Sequence, residues 1–279
     1  MQLMATVTKA IISVAGWGTR RLPITKAIDK CMLPVGNRPI VDYVVRDCIK
    51  AGITEIFFVV NQGSTQLQQY YSDNDRLNQF LEYSGQQDFI ELARPPHNVT
   101  FHYIEQDSNQ KYGTAVPVAL VFPHLKKGES VAVLGGDDFI YNADNSSELA
   151  RLIQATPEGE NGILTTTVAP EEVSRYGVID FDEDTGLFAG IVEKPPVEQA
   201  PSNQINLGKY VLNYDILRRT YEYCQLNLSG EYYLIGVITQ AAIEKAPVTV
   251  VPAVGEYLDC GNVHGWLRAN EVIVNRPVV

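Results

Sequence analysis

The chain has four cysteines in 279 residues, Cys31, Cys48, Cys224 and Cys260, with no CxxC spacing among them. That scatter argues against both a disulfide framework and a thiolate zinc site. No apolar run approaches the ~20 residues of a membrane span. No basic run is longer than Lys126-Lys127 or Arg218-Arg219. With 33 acidic and 22 basic side chains the formal net charge is -11, so nucleic acid and anionic membrane surfaces are repelled. Nothing resembles a signal peptide, because the apolar stretch after Lys9 is short and leads straight into a glycine loop. The expected compartment is a reducing cytoplasm, where Asn-x-Ser/Thr matches at Asn98, Asn145 and Asn227 carry no meaning.

What is present is an ordinary globular composition, 45% hydrophobic and 20% charged, in a chain long enough to bury a substantial core. Apolar strands alternate with helical patterns. "KAIISVA", "EIFFVVN", "VTFHYIEQ" and "SVAVLGGDD" read as strands. "PIVDYVVRDCIKAG" and "TAVPVALVF" read as helices, and Ser64 to about Tyr83 as a polar amphipathic segment. From Gly162 the rhythm changes to short strands, "GILTTTVA", "YGVIDFD", "FAGIVEKP" and "GKYVLN". Two more helical patterns follow, one after Gly230 and one from Asn262 to about Asn275. The pattern predicts one α/β domain, residues 1–279, with a Rossmann-like, mostly parallel mixed sheet flanked by helices and a β-rich second part.

The first loop, "VAGWGTRRLPITKAIDKCMLPV", holds two glycines, cations and two prolines directly after a strand. It is not a dinucleotide fingerprint, since Arg21 stands where the third glycine belongs, and it lacks the Lys-Ser/Thr of a P-loop. Glycines at Gly16 and Gly18 would let backbone amides approach phosphate oxygens. Arg20 and Lys30 would neutralise the remaining charge, the first as a fork and the second as a point charge. The bland alternative is a structural turn with solvated cations. Likewise "GGDD" reads as a ligand-binding strand end or a tight turn, and "VEKP" as a functional pair or an ordinary strand end. In "VEKP", Pro195 is expected to hold Lys194 extended.

The segments "AGWGTRRLPITKAIDKCMLP", "QKYGTAVPVAL", "VLGGDD", "YGVID", "IVEKP", "PSNQINLGKYVLN" and "LDCGNVHGWLRA" occur in this order. Across nearly the whole chain they resemble the bacterial UTP–glucose-1-phosphate uridylyltransferases of the sugar-1-phosphate nucleotidyltransferase superfamily. The resemblance implies Mg²⁺-dependent nucleotidyl transfer, with a nucleoside triphosphate and a sugar 1-phosphate as small-molecule partners and homo-oligomerisation left open. It implies a nucleotide-binding part over about 1–160 and a sugar-binding part over about 161–279. Arg20, Lys30 and Lys194 become catalytic candidates. Ala15, Gly16, Gly18, Thr19, Gln106 and Gly113 become nucleotide-binding candidates, with Gln106 reading the base. Gly177, Glu193 and Lys194 would meet the sugar and its phosphate, and Asp137 and Asp259 would hold Mg²⁺. Asp138 is read as a cap for the next segment.

Two stretches depart from that family. Asp29 and Cys31 replace a proline and a glutamate around Lys30, which bears on nucleotide choice and lets Asp29 mute the lysine's field. Ile235 and Gly236 replace a polar pair, which bears on sugar choice. A thymidylyltransferase acting on the same sugar phosphate and a catalytically silent nucleotide-sugar-binding regulator are the alternative functions.

Overall fold

The computed structural model describes residues 6–107, 109–226 and 230–276. The strands are β1 (Val7–Ser13), β2 (Glu55–Asn61), β3 (Thr100–Gln106), β4 (Ser130–Gly135), β5 (Phe139–Tyr141), β6 (Asn161–Thr167), β7 (Gly177–Asp182), β8 (Leu187–Glu193), β9 (Gln204–Leu212), β10 (Val248–Pro252) and β11 (Glu256–Leu258). Nine of them form one sheet in the order β3-β2-β1-β4-β9-β6-β10-β8-β7, and β5 and β11 form a separate antiparallel ribbon.

Alternation of apolar side chains explains the layering. In β1, Ala10 and Ile12 enter one core while Ile11 enters the other, and β2 and β4 divide their residues the same way. Strands buried on both faces need helices on both. The helices Ile40–Lys50, Glu148–Ala155 and Val263–Asn275 cover one face, and Val116–Val121, Tyr214–Gln225 and Leu234–Ile243 the other. β1, β2, β3 and β4 run parallel. The later strands join through β9, antiparallel to both β4 and β6, so the β-rich part continues the same sheet.

Two of the longer helices, Glu148–Ala155 and Tyr214–Gln225, have no counterpart among the sequence expectations. Ser147 caps Glu148–Ala155 by accepting from Ala150 N–H at 2.9 Å, and Asn213 caps Tyr214–Gln225 by accepting from Ile216 N–H at 3.1 Å. Side-chain oxygens of this kind satisfy the otherwise unpartnered amides of a first turn. The glycine loop leaves β1 by an indirect route. It passes through three short turns, Thr19–Arg21, Ile24–Lys26 and Lys30–Met32, and a two-residue ribbon before the first helix. Among the described residues no helix is long and apolar enough to cross a membrane.

Chain order and spatial order diverge between β1 and β4. From β1 the chain steps outward to β2 and then β3, yet β4 lies on the opposite side of β1. Such a switch in strand order opens a crevice beyond the strands' carboxyl ends.

Candidate active site

At that crevice Ser13 is the register partner of Gly135, and Gly136 N–H donates to Ser13 O at 3.2 Å. Beyond them opens a cavity of about 700 Å³, within the range of small-ligand sites. Ala15, Gly16, Gly18, Thr19, Arg20, Lys30, Gln106, Gly113 and Asp137 all line it. Every expected nucleotide residue therefore reaches one space, together with two of the expected catalytic cations and one expected metal ligand.

Two glycines there have specific tasks. Gly18 has φ +61°, and a Cβ on it would stand 3.0 Å from both Lys30 Cβ and Thr25 Cγ2. The Thr25 hydroxyl donates to Gly18 O at 2.9 Å, which folds the loop onto the stem of Lys30. Gly113 has φ +118°, and a Cβ would collide with the backbone of Tyr232. That close approach is closed by Tyr232 N–H donating to Tyr112 O and Ala115 N–H donating to Tyr232 O, each at 2.9 Å. It carries Glu231 to the cavity wall. Gln106, at the end of β3, is buried rather than solvent-facing.

Charge is organised around two consecutive aspartates. Lys30 donates to the Asp137 carboxylate, whose side chain stays 38% exposed. Burial pushes that carboxyl upward, but the Lys30 ammonium and its hydrogen bond prevail and hold it below the ordinary range. Asp138 is not a cap. Its carboxylate accepts from the ammonium of Lys209 on β9 and from the Tyr257 hydroxyl at 2.9 Å. Asp29 turns away from Lys30: its N–H donates to Gln66 Oε1 at 3.1 Å and its carboxylate accepts from the Ser64 hydroxyl. The expected muting of Lys30 by Asp29 is thus replaced by pairing of Lys30 with Asp137.

Asp259 lies outside the lining of the cavity but beside it. Its Oδ1 accepts from Gly261 N–H at 2.7 Å, and a Cβ on Gly261 would lie 3.6 Å from Arg20 Nη2. Asp137 and Asp259 act together on the buried Arg21 and on Tyr257. Two carboxylates in one field, one of them open to the cavity, are hard oxygen donors of the kind Mg²⁺ takes with phosphate and water. Cys260 adds no thiolate, since burial raises it to about 12. The donor set fits magnesium.

The expected sugar residues, Gly177, Glu193 and Lys194, do not line this cavity. β7 and β8 put Gly177 opposite Glu193, and a Cβ on Gly177 would stand 2.7 Å from Glu193 Oε2. Lys194 corrects the sequence expectation: its φ is +47°, in the left-handed region, instead of extended. Its N–H donates to Tyr176 O at 2.9 Å, so pairing with the neighbouring strand overrides the bias set by Pro195. Non-glycine residues are held this way mainly at functional sites. Tyr176 in turn feels the charge of Asp259, and Tyr233 that of Glu193 and Glu231. Through these charges the second group of residues shares the electrostatic field of the first.

Several site residues were missed from sequence. Trp17 and Tyr112 line the cavity while 60% and 52% exposed, and Glu231 lines it too. Lys209 and Tyr257 sit beneath it. An aromatic inside a glycine loop was an available signal for Trp17; nothing local marks Lys209. Cys31 is buried in the core as a small apolar residue, with its thiol pushed up by burial. Ile235 and Gly236 fall in the first turn of Leu234–Ile243, where a Cβ on Gly236 would meet nothing within 4 Å.

The family model described as nucleotidyl transferase matches residues 9–276. A UTP–glucose-1-phosphate uridylyltransferase of Haemophilus influenzae is 36% identical over 276 residues, covering 94% of this chain and 91% of that protein. The enzyme of the same name from Escherichia coli K12 is 34% identical over 285 residues, covering 94% and 89%. Among solved structures, a UTP-bound UGPase from Acinetobacter baumannii superposes with TM-score 0.86 at 29% identity, covering 98% and 95% of the two chains. A UDP-glucose pyrophosphorylase complexed with UDP-glucose gives TM-score 0.79 at 27% identity, covering 97% and 99%. By these matches, and by the glycine loop and paired aspartates at its sheet crevice, the chain belongs to the nucleotidyl transferase family.

Proposed function

We propose that the chain transfers UMP from UTP to glucose 1-phosphate, giving UDP-glucose and pyrophosphate, with Mg²⁺ and in the cytoplasm. The observation that carries this reading is the cavity at the β1–β4 crevice, where the glycine loop, Lys30 and Asp137 converge. Relatives bearing that activity along nearly the whole chain support it.

In the transfer, an oxygen of the sugar phosphate forms a bond to the α-phosphorus as the bond from that phosphorus to the bridging oxygen breaks. Pyrophosphate departs with the bridging oxygen and its electron pair. No protein nucleophile is needed, so catalysis rests on positioning and charge neutralisation. Backbone amides at Gly16, Gly18 and Thr19 cradle the triphosphate. Arg20 and Lys30 neutralise it, and Gln106 and the backbone at Ala15 and Gly113 hold the nucleoside. Gly177 and Glu193 take the sugar hydroxyls, and Lys194 takes the sugar phosphate. Asp137 and Asp259 would hold Mg²⁺, which supplies charge compensation on the phosphate oxygens. Residues to about 160 thus act as the nucleotide-binding part and 161–279 as the sugar-binding part.

The test mixes purified protein, Mg²⁺ and glucose 1-phosphate with each nucleoside triphosphate in turn and follows pyrophosphate release. Release fastest with UTP is expected. Preference for dTTP would move the chain to thymidylyl transfer, and silence across nucleotides and a wider sugar panel would leave a binding protein.

A further inference from the structure

Lys209 is 3% exposed on an interior strand, opposite Leu134 of β4. A lysine buried there must find a partner. It donates to the Asp138 carboxylate and, at 3.4 Å, to the Asp138 carbonyl. The residue immediately after Asp137 is thereby held at two points. The same carboxylate accepts from the Tyr257 hydroxyl at 2.9 Å. Tyr257 lies on β11, which pairs with β5 so that Leu258 faces Phe139. Asp138 and Asp259 are the residues that immediately flank this last pair on the two strands. A single carboxylate therefore ties together the end of β4, the interior of β9 and the strand that delivers Asp259.

Stability alone does not account for this arrangement. Well-packed apolar residues generally match or exceed a buried ion pair in stability. An ion pair fixes direction, which apolar packing does not. We propose that Lys209, acting through Asp138 and Tyr257, is a positioning residue that orients Asp137 and Asp259 toward one divalent cation. The inference rests on the reading of those two aspartates as the magnesium ligands. Lys209 itself touches neither cation nor substrate. Partners that orient metal ligands in this indirect way typically carry 10–100-fold in metal affinity or activity.

The experiment measures Mn²⁺ binding to the full chain in the presence of UTP, from the loss of the free-Mn²⁺ electron paramagnetic resonance signal. kcat and KM are recorded separately, and circular dichroism confirms folding. Three variants are compared: Tyr257→Phe, Lys209→Arg, and Lys209→Met combined with Asp138→Asn, which leaves no unpaired buried charge. The combined variant is expected to need roughly 10-fold more Mn²⁺ for half-saturation and to lose 10–100-fold in kcat. KM for glucose 1-phosphate should stay within about 2-fold. Tyr257→Phe should shift both quantities several-fold in the same direction, and Lys209→Arg should stay near wild type because it keeps the charge. If the combined variant does not fold, Tyr257→Phe decides. Folded variants with unchanged Mn²⁺ half-saturation and kcat would overturn the proposal. Asp137→Asn separates the two readings. If it too binds Mn²⁺ and turns over normally, the metal assignment has failed; if it alone loses both, only the role of Lys209 has.

Discussion

Asp137 meets Lys30 at the wall of a cavity, where the aspartate side chain is 38% exposed. Asp138, the next residue, meets Lys209 inside the fold, where the two side chains are 16% and 4% exposed. The residue types are the same, and solvent access separates them. A carboxylate that faces a cavity can exchange its lysine partner for a ligand. A carboxylate closed in by Lys209 and Tyr257 cannot exchange partners without unpairing a buried charge, so it serves as a fixed point. Consecutive residues of one strand end thus divide into one that reacts to ligands and one that holds the frame.

That contrast is sharpest in paired substitutions. Lys30→Met should lower kcat about 10²–10³-fold, the usual effect of removing a group aimed at transition-state charge. Its urea midpoint should move by less than the equivalent of about 1 kcal/mol, because Asp137 stays in contact with water. Lys209→Met should reverse the order and destabilise by roughly 3–5 kcal/mol, since it strands Asp138 without its ammonium. Equal stability losses in the two variants would erase the distinction.

A smaller effect concerns the sugar side. A Cβ on Gly177 would stand 2.7 Å from Glu193 Oε2 and 2.8 Å from Ile191 Cδ1. Gly177→Ala should push Glu193 aside and raise KM for glucose 1-phosphate about 10-fold, while KM for UTP holds, as expected for misplacing one orienting group. Steady-state kinetics with each substrate varied in turn will show whether only the sugar term moves. Lys194 offers a subtler check, because its φ of +47° suits glycine. Lys194→Gly should be more stable than Lys194→Ala by about 1 kcal/mol, although both lose turnover. Identical thermal midpoints would show that the left-handed backbone stores no strain.

The smallest effect tests the frame as a whole. Cys31, Cys48, Cys224 and Cys260 are all buried, and burial raises each thiol above its ordinary value of 9.0, to about 11 for Cys224 and about 12 for Cys260. A group whose folded-state pKa is raised contributes stability that is complete below the unfolded value and is lost as pH rises toward the folded one. The thiol contribution to the unfolding midpoint should therefore be flat below about pH 9 and fall above it. The slope approaches ~1.4 kcal/mol per pH unit for each thiol involved. Ellman's reagent should find no reactive thiol in the native protein at pH 8; rapid reaction there would mean that the core is open.

Much of this was legible in the sequence wherever one segment carries its own signal. β1, β2 and β4 are short apolar runs buried on both sides; Gly16, Gly18 and Asp137 follow the ends of β1 and β4, and Lys30 lies further along the loop after β1. The helices Glu148–Ala155 and Tyr214–Gln225 carry cap signals at Ser147 and Asn213, but the first is only eight residues long and the second lies in the stretch where short strands dominate the pattern. Lys209 was not legible. Within "GKYVLN" it looks like any strand residue, and its role exists only because β9 runs beside β4 and β11 beside β5. Lys194 misled for a related reason. The bias set by Pro195 is local, whereas the hydrogen bond that overrides it reaches Tyr176, just before β7, across the sheet.

The most direct test of the whole account follows phosphorus atoms. The protein is incubated with Mg²⁺, glucose 1-phosphate and UTP labelled at either the α- or the γ-phosphate, alongside Asp137→Asn. The expected result is α-label entirely in UDP-glucose and γ-label entirely in pyrophosphate, with both products nearly absent for Asp137→Asn. Label from the γ-phosphate in orthophosphate, or full transfer by Asp137→Asn, would contradict nucleotidyl transfer at this cavity.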